Sequence, residues 1–182
     1  MRGKRDQIVT AALWRYRAFG VSGTTLKDVA EVSGVPLGNL YYYFKTRDEL
    51  VLAVLDECER ELRALLDRLA PFEGRAWFVA YFDWLLSDPS DAARFGCPFG
   101  TLAAELRALD DPTAPRAAQV VQLYLHALRE RTGALGLPDS VADDVFMAVQ
   151  GAYTVAHTLN DPALFLHGVE RLRTRMPTLT ER

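Results

Sequence analysis

Between Pro36 and Arg47 the chain places an amide, Asn39, three consecutive phenols, Tyr41, Tyr42 and Tyr43, and two cations, Lys45 and Arg47. These groups make hydrogen bonds to polar edges and charge-assisted bonds to anionic oxygens, the chemistry of recognition rather than of bond breaking. On a helix expected over about Pro36 to Tyr43, Leu40 and Phe44 form the side to be buried, and Leu37, Gly38, Asn39, Tyr41 and Tyr42 face outward. So many unburied groups on so short a helix imply a partner.

The flanking residues specify how that helix is held. Thr25 followed by Asp28 reads as a reciprocal N-cap, opening a helix that turns Leu26, Val29 and Ala30 to one face. Gly34 stands where a left-handed C-terminal residue is expected, and Val35-Pro36 cannot continue the same helix. Thr46 and Glu49 form a Thr-x-x-Glu box that starts another helix, with Arg47 in the first turn, where free N–H groups also attract phosphate. Upstream, a first helix is expected from about Lys4 to Phe19, with Ile8, Ala12, Tyr16 and Phe19 on its inner face and Gly20 at its end. Arg2, Lys4 and Arg5 form a basic arm before it, suited either to a DNA backbone or groove or to plain solvation. The layout is a helix-turn-helix, whose second helix lies in the DNA major groove with its N-terminal residues toward base edges and flanking groups on phosphates.

Three segments carry a family likeness: Thr24 to Ala30, Ser33 to Phe44 and Lys45 to Leu50. Over about residues 4 to 55 the chain resembles the DNA-binding domain of the TetR family of transcriptional regulators. Pro36 stands where that family usually has a Ser-like cap and Leu37 where a basic residue is common; neither side chain donates a hydrogen bond. The resemblance implies an all-α protein of about nine helices. It comprises a three-helix helix-turn-helix DNA-binding domain over residues 1–47 and a helical ligand-binding and dimerisation domain over 48–182. The implied DNA contacts are Thr24, Thr25, Pro36, Leu37, Gly38, Asn39, Tyr41, Tyr42, Lys45 and Arg47.

Charge is segregated in the same sense. Residues 1–47 hold eight basic and three acidic groups, a net of +5, which leaves −8 for the remainder of a chain whose formal net charge is −3. A basic module on an acidic body concentrates phosphate affinity at one end. At 182 residues there is length for one large or two small domains. No apolar run approaches the roughly 20 residues of a membrane span. No export signal is evident, and two cysteines, Cys58 and Cys97, are too few for a disulfide framework. A cytoplasmic protein without metal or cofactor is expected.

A long amphipathic helix should run from Thr46 to Leu69 as the sole connection to the remaining chain, followed by helices over about 74–87, 99–109, 115–132, 139–159 and 162–176. Aromatics crowd the first of these: Trp77, Tyr81 and Trp84 fall at i, i+4, i+7, beside Phe78 and Phe82. Most belong to a core, and the excess suits a cavity. For the small-molecule site implied by the family, Trp77, Tyr81, Cys97, Phe99, Leu102, Glu105, Tyr124, Phe146, Gln150 and Tyr153 are the candidate walls. Glu105 suits a cationic ligand or an ordinary salt bridge, and Cys97 either a sensing thiolate or a small buried hydrophobe.

Ala148, Ala152 and Ala156 recur every fourth residue beside Gly151 and Val155, and Phe165, Val169 and Leu172 offer a matching apolar face. Family members dimerise through the corresponding helices as a four-helix bundle, which implies a homodimer interface at Ala148, Ala152, Val155, Ala156, Phe165, Val169 and Leu172.

An enzyme is not expected. His126, His157 and His167 are 31 and 10 residues apart, and no nucleophile elbow or Gly-rich phosphate loop is present. The expected function is a dimeric, ligand-responsive regulator, a repressor released from a palindromic operator by a largely apolar molecule. An architectural or constitutive DNA-binding protein is the alternative.

Overall fold

The computed structural model describes residues 3–179, with side chains described as far as 175. Arg2 of the expected basic arm lies outside the described residues. Ten helices and no strand are present among those described: α1 (Lys4–Phe19), α2 (Leu26–Ser33), α3 (Leu37–Tyr43), α4 (Arg47–Leu69), α5 (Gly74–Leu85), α6 (Pro89–Phe95), α7 (Thr101–Ala108), α8 (Ala114–Gly133), α9 (Asp139–Leu159) and α10 (Pro162–Leu179). The fold is all-α, as expected. None of these helices is long and apolar enough to cross a membrane.

The helix not anticipated is α6. Asp88-Pro89 reads as a break, yet Asp88 Oδ1 accepts a hydrogen bond from the Asp91 N–H at 2.9 Å and Pro89 occupies the first helical turn. Proline there loses nothing, because the N–H it lacks has no partner inside a helix. The same dipeptide that stops one helix starts the next.

The chain forms two compact units, Met1–Glu61 with Pro98–Val120, and Leu62–Cys97 with Val121–Arg182. The first unit therefore extends beyond residue 47 and takes in α7. The chain also passes between the units three times, after Glu61, Cys97 and Val120, so α4 is not the sole covalent connection expected from sequence.

In the first unit, α1 packs on α2, and α2 on α3. Ile8, Ala12 and Tyr16 of α1, Val29 and Ala30 of α2, Leu40 of α3 and Phe44 are buried together with Leu50, Val51 and Val54 of α4. Phe19 departs from the expected inner face and is 53% exposed. It lies at the end of α1, where its ring meets Trp14 edge-on at 5.8 Å and the Arg15 guanidinium covers it at 4.2 Å.

In the second unit, α10 packs against α9, α6 and α5, and α6 against α9. The core holds Trp77, Phe78, Tyr81, Phe82 and Leu85 of α5, Tyr124 and Leu128 of α8, Val145, Val149, Tyr153 and Ala156 of α9, and Phe165 and Val169 of α10.

Candidate nucleic-acid interface

The start of α2 is fixed by reciprocal capping. Thr25 Oγ1 accepts from the Asp28 N–H at 3.2 Å, and Asp28 Oδ2 accepts from the Thr25 N–H at 2.8 Å. Gly34 ends the helix at φ +67°, a left-handed conformation costly for other residues. The chain then enters α3, with Asn39 and Leu40 N–H groups both bonded to the Pro36 carbonyl. At α4, Thr46 Oγ1 accepts from the Glu49 N–H at 3.1 Å, while the Glu49 carboxylate reaches one residue further back than a capping box requires, to the Lys45 N–H at 2.6 Å.

These local devices leave α3 with one buried residue, Leu40, and an outer face of Leu37, Gly38, Asn39, Tyr41 and Tyr42. Tyr42 is 75% exposed; its ring meets Tyr43 edge-on at 5.3 Å and carries the Lys45 ammonium 5.7 Å from its centre. Pro36, Asn39 and Lys45 are also exposed. These α3 residues and their flanks are thus open to solvent.

Three expected contacts have other partners. Thr24 is buried, its hydroxyl donating to the Gly20 carbonyl at 2.8 Å, and the Thr25 hydroxyl is committed to the α2 cap. Arg47 Nη1 donates to Asp111 Oδ2 at 2.7 Å and lies 3.3 Å from Asp48 Oδ1, with the Asp111 side chain only 6% exposed. Asp111 Oδ1 also accepts from the Thr113 hydroxyl at 2.6 Å and its N–H at 2.9 Å. Burial pushes the Asp111 carboxyl up, but the Thr113 and Arg47 hydrogen bonds and the Arg47 charge outweigh it and hold the group below the ordinary carboxylate range. Beside the pair, burial pushes the Tyr16 phenol up to about 12, against the lowering influence of Arg47. Arg47 is thus tied to Asp111 and Asp48 within this unit.

A second acidic group of the same unit was expected elsewhere. Glu105, a candidate ligand contact, has its carboxylate on the turn between α1 and α2, with bonds from the Val21 N–H at 2.9 Å and from the Ser22 N–H and hydroxyl at 3.0 Å each. Phe99 and Leu102 belong to this unit too and are buried.

The remaining ligand candidates lie in the second unit. Trp77 stacks on Tyr81 at 5.3 Å and 16°, Tyr81 meets Tyr124 at 6.3 Å, and Tyr124 meets Phe146 edge-on at 5.3 Å. The Tyr81 and Tyr124 hydroxyls are 2.6 Å apart, and burial pushes both phenols well above their ordinary range. Gln150 Nε2 donates to Cys97 Sγ at 3.4 Å, and Tyr153 stacks against Phe165 at 4.5 Å. Trp77 Nε1 is buried without a hydrogen-bond partner. The candidates of this unit therefore form a core of touching rings with a few polar atoms inside.

The expected dimer stripe divides in two. Ala156 of α9 and Phe165 and Val169 of α10 are fully buried within the chain, where α9 and α10 pack on each other and on α6. Ala148, Ala152, Val155 and Leu172, with Gly151 and Leu164, line an open groove of about 340 Å³ along α9 and α10. Met147, Val155 and Leu159 are exposed on the same helix. Of the histidines, His126 and Glu130 form an exposed pair at 3.3 Å, and His157 Nδ1 lies 3.0 Å from the Ala93 carbonyl.

Comparisons with known proteins bear on the whole chain. Residues 8–54 match the model of the bacterial regulatory proteins of the tetR family. An uncharacterized HTH-type transcriptional regulator in the lacX 3' region of Lactococcus lactis subsp. lactis is 26% identical, over 100% of this chain and 97% of that protein. The HTH-type transcriptional regulator LmrA of Bacillus subtilis (strain 168) is 25% identical over 90% and 91% of the two chains. A TetR transcriptional regulator from Legionella pneumophila shares the fold, with a TM-score of 0.83 at 19% identity across 96% of this chain and 97% of that one. A capped helix-turn-helix, a family model that matches it and relatives similar along the whole chain agree: residues 8–54 form a TetR-family helix-turn-helix, in a chain that resembles transcriptional regulators of that family along its length.

Proposed function

We propose that the protein is a homodimeric repressor that binds a palindromic operator and is released by a small, largely apolar molecule, acting in the cytoplasm without catalytic activity of its own. The observation that carries the DNA-reading part is the outer face of α3, where Asn39, Tyr41 and Tyr42 stay exposed while Leu40 and Phe44 are buried. The dimer is supported by the groove along α9 and α10, lined by small and apolar residues with Arg171 and Arg175 at one part of it, and by the exposed Met147, Val155 and Leu159 of α9. Two-fold symmetry then sets two α3 helices about 34–36 Å apart, one turn of DNA.

The effector part rests on the Trp77–Tyr81–Tyr124 cluster. Its rings offer apolar surface, and the Trp77 N–H and the paired phenols are the polar handles for a bound molecule. Such a molecule must favour the non-binding state by about 5.5 kcal/mol to shift occupancy from 1:99 to 99:1. A mobility-shift assay on the protein's own promoter DNA tests the reading. Sequence-specific retardation that weakens with an added apolar aromatic compound is the expected result. Retention of DNA against every compound tried identifies a constitutive DNA-binding protein instead.

Within the reading face, two substitutions separate positioning from specificity. Tyr42→Phe is expected to weaken binding to every sequence by a similar factor, about 3- to 10-fold, because a hydroxyl on phosphate reads no base. Asn39→Ala is expected to alter relative affinities across an operator library, with about 1–3 kcal/mol of discrimination lost at one base pair. Unchanged library ranking for Asn39→Ala removes it from the base-reading set.

A further inference from the structure

We propose that Glu105 is a positioning residue for operator recognition: its carboxylate serves as an internal anion for the backbone N–H groups of the turn that leads into the helix-turn-helix. The inference rests on the operator-binding reading above and adds to it a residue outside the DNA-binding motif.

The geometry is that of a small anion site already filled by the protein's own side chain. Oε2 accepts from the Val21 N–H, and Oε1 from both the N–H and the hydroxyl of Ser22, all at 2.9–3.0 Å. Successive backbone N–H groups converging on one anion form a concavity of fixed partial positive charge, and bonds to a carboxylate are stronger than neutral ones. Gly20 makes the approach possible. Its φ of +77° with ψ 162° lies in a region reserved almost entirely for glycine, and a Cβ there would stand 2.8 Å from Glu105 Oε1. The rest of the turn is equally committed, with the Gly20 carbonyl accepting from Thr24 and the Val21 side chain buried.

Glu105 does not act alone. Six residues on, past the end of α7, Asp111 holds Arg47 at the start of α4. The two acids grip the chain in the turn between α1 and α2 and at the first residue of α4, across 83–84 and 64 residues of sequence. The helix-turn-helix pair α2–α3, with the exposed face of α3, lies between these two grips. Base-edge contacts tolerate only small displacements, on the order of 0.5 Å, whereas flexible side chains on phosphates can follow a shifted backbone. Loss of the Glu105 grip therefore falls on specific binding more than on non-specific binding. The sign is diagnostic, because removing a negative charge near a DNA-binding surface would by itself strengthen binding to any sequence.

The test uses the full-length protein, a duplex selected by the wild type from a random library, and a scrambled duplex of the same length at fixed salt. Glu105→Ala is expected to bind the selected duplex about tenfold more weakly, the scrambled duplex within about twofold, and to lose hydrogen-exchange protection at the Val21 and Ser22 amides. Glu105→Gln is expected to fall between, since one amide oxygen can serve Ser22 while the amide nitrogen opposes the Val21 N–H. If Glu105→Ala does not fold, the ratio for Glu105→Gln decides. Equal losses on both duplexes, accompanied by a lowered Tm, mean a merely structural contact and overturn the assignment. Wild-type selectivity retained by a variant whose amides have lost protection overturns it as well. A wild type that selects no duplex overturns the operator reading and this assignment with it.

Discussion

Trp77→Ala is expected to cost about 3–5 kcal/mol of folding stability, the largest effect of any single substitution argued for this chain. Trp77 is 1% exposed, stacks on Tyr81, meets Phe78 edge-on at 5.1 Å and has the Arg131 guanidinium 5.5 Å from its ring. Alanine removes those partners at once and leaves a cavity between rings that cannot close without leaving their rotamers. Urea unfolding followed by circular dichroism measures the loss. A loss under about 1 kcal/mol would mean that the Trp77 site collapses or is already loosely filled, as a pocket wall would be.

Trp77→Phe separates packing from recognition. It keeps most of the stacked area and removes the buried N–H that has no partner, so the loss of volume is partly offset by relief of an unsatisfied donor, about 1–3 kcal/mol. The expected net change is small. An effector that accepts a hydrogen bond from that N–H would then show weaker release of DNA from a protein of nearly wild-type stability.

Asp111→Asn is expected to cost about 2–3 kcal/mol, below the usual 3–5 for breaking a buried ion pair because Arg47 is 38% exposed and keeps Asp48 nearby. Asparagine can still accept the two Thr113 bonds through one oxygen, but its amide nitrogen meets the Arg47 guanidinium donor to donor. The effect carries a pH signature. A carboxyl whose pKa is lowered on folding contributes stability that is complete above its unfolded value of about 4 and is lost as pH falls through the lower folded value. The stability gap between wild type and Asp111→Asn should therefore be constant near neutrality and close on acidification below about pH 4. A gap that persists at pH 2 would show that the carboxylate charge is not its source.

These two sites also mark where sequence reading reached its limit. Buried aromatics in α5 are visible as a stripe, since i, i+4, i+7 spacing puts them on one face, but spacing carries no record of what they touch. Whether Trp77 and Tyr81 wall a cavity or sit in a filled core depends on what covers α5, and there α8 brings the Tyr124 hydroxyl 2.6 Å from that of Tyr81. Likewise, Phe165 and Val169 read as an outward apolar face until α5, α6 and α9 are found against α10.

Helix boundaries in the DNA-reading head were decided by the amino-acid sequence alone. Thr25 with Asp28, Gly34, Pro36 and Thr46 with Glu49 act through hydrogen bonds and steric limits spanning three or four residues, so their identity is enough. The outward set on α3 follows from the same local rule, once Leu40 and Phe44 are assigned inward. Tertiary structure decided the partners of Glu105, Asp111 and Arg47. A carboxylate has no preferred partner encoded in its neighbours; it takes whichever N–H or guanidinium the fold brings within about 3 Å. Here that choice put the Glu105 carboxylate on the turn between α1 and α2 and the Asp111 carboxylate on Arg47 at the start of α4.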